Sequence, residues 1–174
     1  MAYIEVMILL ALGANLPHPR YGAPRETLEA ALLQLEERGV VILQRSRWYR
    51  SAAWPPSDQP DYVNGAAQVT CDLSPEATLA LLHDVEAVFG RDRGEANAAR
   101  VLDLDLLAYH QEVRDEPDGL KLPHPRLAER AFVLLPLMEV APGWRHPVTG
   151  VSVAEMARAL PKDEGISLLE KEPG

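Results

Sequence analysis

The chain has 174 residues, of which 47% are hydrophobic and 25% are charged. This balance is typical of a soluble globular protein and excludes a disordered, fibrous or membrane-embedded chain. The net charge of -9 makes nucleic acid and anionic membrane unfavourable partners. Any anionic ligand must therefore be met by local cations, and the arginines do cluster, at Arg91, Arg93 and Arg100 and again at Arg126 and Arg130.

The length is that of one ordinary domain, which we expect to extend over residues 1–174 with a frayed polar tail at 161–174. The apolar run Val6–Leu12 follows Glu5 and no Lys or Arg, so it predicts a buried strand rather than a signal peptide. Cys71 is the only cysteine and has no partner for an internal disulfide. A lone cysteine favours a reducing compartment, and we expect a cytoplasmic location.

Hydrophobic spacing and turn residues divide the rest of the chain into helices and strands. The predicted elements are, in chain order, a helix at Pro24–Arg38, strands at Val40–Tyr49 and Tyr62–Leu73, a helix that begins at the Ser74-Pro75 cap and ends at Gly90, a strand at Val101–Tyr109 and an apolar helix at Ala131–Val140. Helices that alternate with strands joined partly by short connections favour an α+β sandwich with a mostly antiparallel sheet.

The segment from Leu102 to Leu106 carries the sharpest chemical signal, because Asp103 and Asp105 alternate with leucines. Alternate residues of a strand share a face, so the two carboxylates are predicted to lie side by side. Adjacent carboxylates repel each other unless a cation joins them, and such oxygen ligands suit Mg²⁺, which completes its shell with water and substrate phosphates. The alternative is a half-buried strand whose polar face meets solvent.

Three arginines approach the same strand, because Arg100 directly precedes it and Arg91 and Arg93 lie on the loop before it. Guanidinium groups match phosphate oxygens, so this convergence predicts a polyphosphate site. In the alternative, the loop is solvated and Asp92 and Glu95 pair with the arginines.

Tyr62 and Asn64 are two positions apart on a predicted strand and so share a face. An aromatic ring beside a carboxamide can stack on a flat heterocycle and hydrogen-bond its edge. Phe132 can supply a second aromatic wall, although an aromatic residue in an apolar helix is by default part of the core.

Four motifs that include these residues occur in order along the chain, namely Gly13-Ala14-Asn15-Leu16, Asp58-Gln59-Pro60-Asp61-Tyr62-Val63-Asn64, Arg100-Val101-Leu102-Asp103-Leu104-Asp105, and Pro123-His124-Pro125 with Arg130 and Phe132. Together they extend over the chain up to Pro142 and resemble the 6-hydroxymethyl-7,8-dihydropterin pyrophosphokinase family. The resemblance implies a ferredoxin-like α+β core, ATP and Mg²⁺ as requirements, and transfer of pyrophosphate to the dihydropterin with release of AMP in folate biosynthesis. Its partners are these small molecules, with no nucleic acid or membrane.

The resemblance also implies residue roles. Asp103 and Asp105 resemble the metal-binding pair, and Arg91 and Arg100 resemble the arginines that hold the phosphates and favour transfer; the resemblance makes these four the catalytic residues. The residues that resemble an ATP site are Glu86, Arg93, His124 and Arg130. The residues that resemble the pterin pocket are Ser51, Trp54, Tyr62, Asn64 and Phe132. For Glu86 a solvated position remains the alternative, and for His124 a hydrogen bond that fixes its loop.

The chain departs from the family pattern at two places. It has Ala52-Ala53 where members commonly carry Pro-Pro, and Asn97-Ala98-Ala99 where they carry Trp-Gly-Pro. Two other functions are compatible with the same residues. A nucleotidyltransferase also uses paired aspartates on an antiparallel sheet but releases pyrophosphate, and a ligand-sensing module of the same fold has no catalytic activity.

Overall fold

The computed structural model describes residues 7–53, 55–90, 100–117, 119–161 and 165–169. The strands are β1 (Ile8–Ala14), β2 (Val41–Arg45), β3 (Tyr49–Ser51), β4 (Tyr62–Thr70), β5 (Asp103–Tyr109), β6 (Arg114–Asp115), β7 (Lys121–Leu122) and β8 (Ile166–Leu168). The main sheet has the order β5-β1-β4-β3-β8, and β2 pairs with the other end of β4, while β6 and β7 form a separate hairpin. Every strand pair among the described residues is antiparallel.

Helices cover both faces of the main sheet. Residues of α1 (Pro24–Glu37) and α2 (Pro75–Val88) pack with Leu10 and Leu12 of β1 in one apolar cluster. Residues of α3 (Ala131–Val140) and α4 (Val153–Ala159) pack with Leu9 and Ala11 of the same strand in a second cluster. Successive residues of a strand point to opposite faces, so the unbroken apolar run of β1 reflects burial on both sides. The predicted α+β sandwich with a mostly antiparallel sheet flanked by helices is confirmed.

The helix boundaries follow their capping residues. The Ser74 hydroxyl accepts a hydrogen bond from the Ala77 N–H at 3.1 Å, and Pro75 follows at the first helical position. Gly39 and Gly90 have φ angles of 91° and 85° just after α1 and α2, where a left-handed residue ends a helix. No helix of the described residues is both long and apolar enough to cross a membrane.

The single strand predicted at Val40–Tyr49 is wrong, because residues 46–48 separate β2 from β3. The Ser46 N–H donates to the Ala66 carbonyl at 2.9 Å, but the Ala66 N–H donates to the Ser46 hydroxyl, also at 2.9 Å, so a side chain takes part in the pairing at this point. The Trp48 ring occupies the space that a Cβ on Gly65 would take. The chain therefore bends where a large ring packs over a residue that has no side chain.

The frayed tail predicted after Pro161 is also wrong for part of its length. Residues Ile166–Leu168 form β8, which pairs with β3 at the edge of the main sheet. The pairing uses backbone groups, and Ser167 and Leu168 keep exposed side chains. A segment with so little apolar burial gives a weak strand signal.

Candidate active site

Strand β1 joins the two groups of residues predicted to bind ligands. Gly13 pairs with Asn64 of β4 on one side and with Asp103 of β5 on the other. Neighbouring strands are about 4.8 Å apart, so the backbones of Asn64 and Asp103 are separated by roughly 10 Å. Gly13 leaves the sheet surface between them free of side chain, and a Cβ there would lie 3.0 Å from the Asn64 Oδ1.

A cavity of about 380 Å³ opens over this part of the sheet, between the strands and the beginning of α3. It gathers most of the predicted site residues that the structure describes, namely Ser51, Tyr62, Asn64, Arg100, Asp103, Asp105, Arg130 and Phe132. Arg91, Arg93 and Trp54 lie outside the described residues. A cavity of this size with a few converging polar groups is typical of a small-molecule site.

One end of the cavity carries the aromatic and amide groups. Asn64 is only 5% exposed, and its Nδ2 donates a hydrogen bond of 2.6 Å to the Ser51 Oγ. Tyr62 lies on the same face of β4, and Phe132 lies opposite on the first turn of α3. The Arg130 guanidinium carbon is 5.4 Å from the centre of the Phe132 ring. A fixed carboxamide in a cavity that is also lined by two aromatic rings suits a flat heterocycle with hydrogen-bonding edges.

The other end of the cavity is charged. The Arg100 guanidinium is 2.9 Å from a carboxylate oxygen of Asp103, and both side chains are partly exposed. Asp105 is two residues further along β5 on the same face. Burial and the neighbouring charge of Arg126 lower the pKa of Arg130 despite the nearby Asp105. Arg126 and Arg130 thus lie close enough for their charges to interact, and a bound polyanion would compensate both.

The donor set fits a magnesium ion that is shared with a substrate. The described residues contain no group of three or more His, Cys, Asp or Glu side chains suited to holding a metal. Asp103 and Asp105 offer carboxylate oxygens on one face, and Mg²⁺ commonly takes one or two carboxylates with substrate phosphates and water as its other ligands. A self-sufficient protein cage of the kind that structural zinc needs would require more ligands.

Glu86 does not line the cavity. It lies on α2, is 1% exposed, and its Oε2 accepts a hydrogen bond from the Leu104 N–H at 3.1 Å. Since β5 is an edge strand of the main sheet, this carboxylate satisfies a backbone group that has no strand partner. The alternative of a solvated Glu86 is therefore wrong, and the residue supports the strand that carries Asp103 and Asp105.

His124 is half-buried beside the charged end of the site. Its backbone N–H donates to the Leu107 carbonyl at 2.8 Å, and its Nδ1 accepts from the Arg126 N–H at 3.2 Å. Burial, and then the positive charge of Arg130, lower the pKa of His124 below its ordinary value of 6.5. The imidazole is therefore predominantly neutral at neutral pH.

Two residues of the site region received no role from the sequence. Arg126 lines the cavity just before a short 3₁₀ turn at Leu127–Glu129. Its proximity in sequence to Arg130 was the feature that could have indicated a role in binding an anion. Asn15 is buried immediately after β1 and bonds to Arg100. Its position in a turn-forming sequence gave no indication of burial.

Comparisons with known proteins agree with this arrangement. Residues 9–142 match the family model of 7,8-dihydro-6-hydroxymethylpterin-pyrophosphokinase. The chain is 39% identical over 165 residues to a 2-amino-4-hydroxy-6-hydroxymethyldihydropteridine pyrophosphokinase of Pseudomonas aeruginosa, which covers 93% of this chain and 96% of that one. It is 37% identical over 149 residues to the protein of the same name from Synechocystis, covering 85% of this chain and 73% of the relative.

Among solved structures, an HPPK-DHPS chain of Plasmodium falciparum superposes with a TM-score of 0.69 at 12% identity. That match covers 88% of this chain and 44% of the Plasmodium chain, so the present chain spans less than half of the longer protein. At this identity the likeness concerns the fold alone, and it agrees with the antiparallel sheet and its helices. With a family model matched over most of its length and two relatives above 30% identity, this chain belongs to the 7,8-dihydro-6-hydroxymethylpterin-pyrophosphokinase family.

Proposed function

We propose that this chain transfers the pyrophosphoryl group of ATP to the hydroxymethyl group of 6-hydroxymethyl-7,8-dihydropterin, with release of AMP, as a step of folate biosynthesis. One observation carries the assignment to this cavity. In a chain of this family, the sheet register sets the amide of Asn64 and the carboxylate of Asp103 on either side of the bare Gly13. A heterocycle at the amide end thus has its substituent directed along the sheet towards the charged end.

The pterin is held by Tyr62, Asn64 and Phe132. The aromatic rings provide stacking surface, and the carboxamide reads the edge of the heterocycle. The Ser51 hydroxyl accepts one amide proton of Asn64 and so fixes the amide plane. The Asn64 Oδ1 faces the open space over Gly13, from which a pterin N–H can donate to it.

The polyphosphate is held by Arg100 at the charged end and by Arg130, which contacts the Phe132 ring and also interacts with the charges of Asp103 and Asp105, with Arg126 as a further cation on the cavity wall. Asp103 and Asp105 would hold Mg²⁺, which when bound neutralises phosphate charge and orients ATP. The pterin hydroxyl oxygen forms a bond to the β-phosphorus and gives up its proton to solvent, the bond from that phosphorus to the oxygen of the α-phosphate breaks, and AMP leaves with that oxygen. The protein's contribution to such a transfer is mainly positioning and charge compensation.

The remaining predicted residues keep their proposed places around ATP. Arg91 and Arg93 assist the phosphates, and His124 in its neutral form offers a ring nitrogen at the edge of the site. Glu86 acts from behind β5, since it bonds to the Leu104 backbone. A cytoplasmic location also stays a proposal, and it rests on the lone Cys71.

The nucleotide product tests this function. The purified chain is incubated with ATP, Mg²⁺ and 6-hydroxymethyl-7,8-dihydropterin, and the products are separated by anion-exchange chromatography. Formation of AMP with pyrophosphorylated pterin is expected. Release of inorganic pyrophosphate with a nucleotidylated pterin would instead indicate a nucleotidyltransferase, and binding of both ligands without turnover would indicate a sensing module.

A further inference from the structure

Asn15 is a polar side chain in a connecting segment, yet it is only 2% exposed. Connecting segments usually run over the surface, and a buried amide is unfavourable unless its donors and acceptor are satisfied. Asn15 directly follows β1, two residues after the bare Gly13 of the cavity floor. The residue therefore occupies a place where its contacts must compensate for the loss of water.

The contacts of Asn15 reach two distant segments of the chain. On one side, its Oδ1 accepts the Arg100 N–H at 2.8 Å, and its own N–H donates to the Arg100 carbonyl at 3.0 Å. On the other side, its Nδ2 donates to the Gln59 Oε1 and to the Pro60 carbonyl, both at 3.1 Å. These partners are 85, 44 and 45 residues away in sequence.

The two segments belong to opposite ends of the cavity. Pro60 is two residues before Tyr62, at the end where the heterocycle is proposed to bind. Arg100 pairs with Asp103 at 2.9 Å, at the end where the polyphosphate is proposed to bind. One carboxamide thus connects the backbones of both ends through direct hydrogen bonds.

Only a carboxamide satisfies this set of partners. It accepts through its oxygen and donates twice through its nitrogen, whereas a carboxylate has no donors and a serine hydroxyl has one. A side chain whose sole task was to end β1 would have no need of bonds to both segments. The full use of donors and acceptor indicates that the relative position of the two segments is what Asn15 fixes.

We infer that Asn15 is a positioning residue that couples the two substrate sites. Nucleotide bound at Arg100 would hold that segment in the position to which Asn15 is hydrogen-bonded, and the Asn15 amide ties the Gln59–Pro60 segment, and so the wall that carries Tyr62, to the same position. Each ligand then changes the affinity for the other by the same factor, because coupling between two sites is reciprocal. The inference rests on the proposed function, since it takes the two ends of the cavity to be the pterin and phosphate sites.

The test measures this coupling ratio by calorimetry. The dissociation constant of 6-hydroxymethyl-7,8-dihydropterin is determined with Mg²⁺ alone and again with a saturating ATP analogue whose α- and β-phosphorus atoms are bridged by methylene. In the unaltered protein the ratio of the two constants is expected to be about fivefold or more, the usual lower range for coupled sites. In Asn15→Ala it is expected to fall to within about twofold of one.

Two further variants separate coupling from general loss of stability. Gln59→Ala removes one of the Asn15 contacts and keeps those to Pro60 and Arg100, so an intermediate ratio is expected. Ser152→Ala removes the capping box of α4, away from the cavity, and is expected to lower the melting temperature and keep the full ratio. If Asn15→Ala is too unstable to titrate, the Gln59→Ala ratio decides the matter.

Three results would overturn the inference: an unchanged ratio in Asn15→Ala, an unchanged ratio in Gln59→Ala, or an equal loss of the ratio in Ser152→Ala. An unaltered protein that binds both ligands without coupling would overturn it too, and would leave the proposed function standing. An unaltered protein that does not bind the pterin at all would remove the proposed function itself.

Discussion

The two faces of the main sheet differ in chemistry although they are built from the same strands. Towards α1 and α2, Leu12 of β1 and Leu104 of β5 are paired and buried. Towards α3, the next pair along is Gly13 and Asp103, which line the cavity. Because strand residues alternate between faces, one strand can stabilise the fold on one side and form a site on the other.

This difference implies that stability and activity can be changed separately within one strand. Leucines of β5 contribute apolar burial, which is the main source of folding free energy. The aspartates of β5 bring two negative charges close together, and the Arg100 guanidinium beside Asp103 offsets only part of their repulsion, so these residues add little to folding free energy. A residue should therefore affect mainly stability or mainly activity according to the face on which it lies.

The largest effect is expected from the aspartates. Asp103→Asn or Asp105→Asn should lower turnover by at least about 100-fold, since even partners that only orient metal ligands cost 10–100-fold when they are lost. The melting temperature without Mg²⁺ should change little, because the substitution relieves carboxylate repulsion and, at Asp103, also removes the partly exposed ion pair with Arg100, which is worth at most about 1 kcal/mol. Steady-state kinetics at limiting Mg²⁺ and a thermal melt of each variant provide the two measurements.

The matched control lies between the two aspartates on the opposite face. Leu104→Ala should reduce the free energy of unfolding by about 2–5 kcal/mol, the usual cost of truncating a buried leucine. Its Mg²⁺ dependence should be unchanged at temperatures where the protein is folded. The comparison of the two faces would fail if an aspartate variant lost as much stability as Leu104→Ala.

Asn64 should come next in size of effect. Asn64→Ala should weaken pterin binding by roughly 10–100-fold, since it removes the group that reads the ring edge and leaves the Ser51 hydroxyl without this partner. ATP binding should change much less, because Asn64 is on β4 and Asp103 is on β5, and strand β1 lies between them. Calorimetric titration with each ligand separately measures both affinities.

Gln68→Ala is the control for this variant, since Gln68 lies on the same face of β4 away from the cavity lining. It should leave the affinities for both ligands unchanged. Equal losses of pterin and ATP affinity in Asn64→Ala would mean that the amide does not mark the pterin end.

A smaller effect is expected where the cavity floor is filled. Gly13→Ala would place a Cβ 3.0 Å from the Asn64 Oδ1 and 3.9 Å from the Tyr62 ring. Pterin binding should weaken by roughly fivefold, the lower end of the usual cost of overpacking. Gly143→Ala is the control, because no atom lies within 4 Å of the added carbon, and unchanged pterin affinity in Gly13→Ala would place the ring elsewhere.

The smallest effect concerns two histidines whose pKa values are both lowered. For His124 the causes are burial and then the charge of Arg130, whereas for His146 burial alone acts. Nucleotide should raise the pKa of His124, since polyphosphate favours the imidazolium, and should leave that of His146 unchanged. An NMR titration of the ring protons with and without an ATP analogue measures both, and a parallel shift of the two would contradict the proposed phosphate position.

The lowered pKa of His124 also makes the stability of the fold depend on pH. Below the ordinary histidine pKa of 6.5, the unfolded chain binds a proton at this ring more readily than the folded protein does. His124 should therefore make the folded state less stable as the pH falls through this range, and His124→Gln should remove that part of the acid sensitivity.

Much of this arrangement could be predicted from the sequence, because it depends on periodic patterns. The alternation at Asp103 and Asp105 predicted one polar and one apolar face of β5, and the structure has both. The apolar run at Ala131–Val140 is a helix with the predicted bounds, even with Pro136 inside it. In these elements the local pattern and the tertiary burial agree.

The features that sequence did not predict depend on contacts between distant segments. Burial of Glu86 follows from an edge N–H of Leu104 that needs an acceptor, and only the assembled sheet reveals that edge. The burial of Asn15 requires two other segments to meet it. Strand β8 has three residues, and the alternation of Ile166 and Leu168 around Ser167 is too short to predict a strand without its pairing to β3.

The pairing of β8 with β3 makes the sequence near the carboxyl end part of the support of the pterin site. Ser51, whose hydroxyl fixes Asn64, pairs with Ile166 at the edge of the sheet. A protease that cut after Pro161, or a bulky tag fused within this segment, would strip β3 of its outer neighbour and expose its hydrogen-bonding groups. We expect pterin binding to weaken as a result, although β8 itself does not line the cavity.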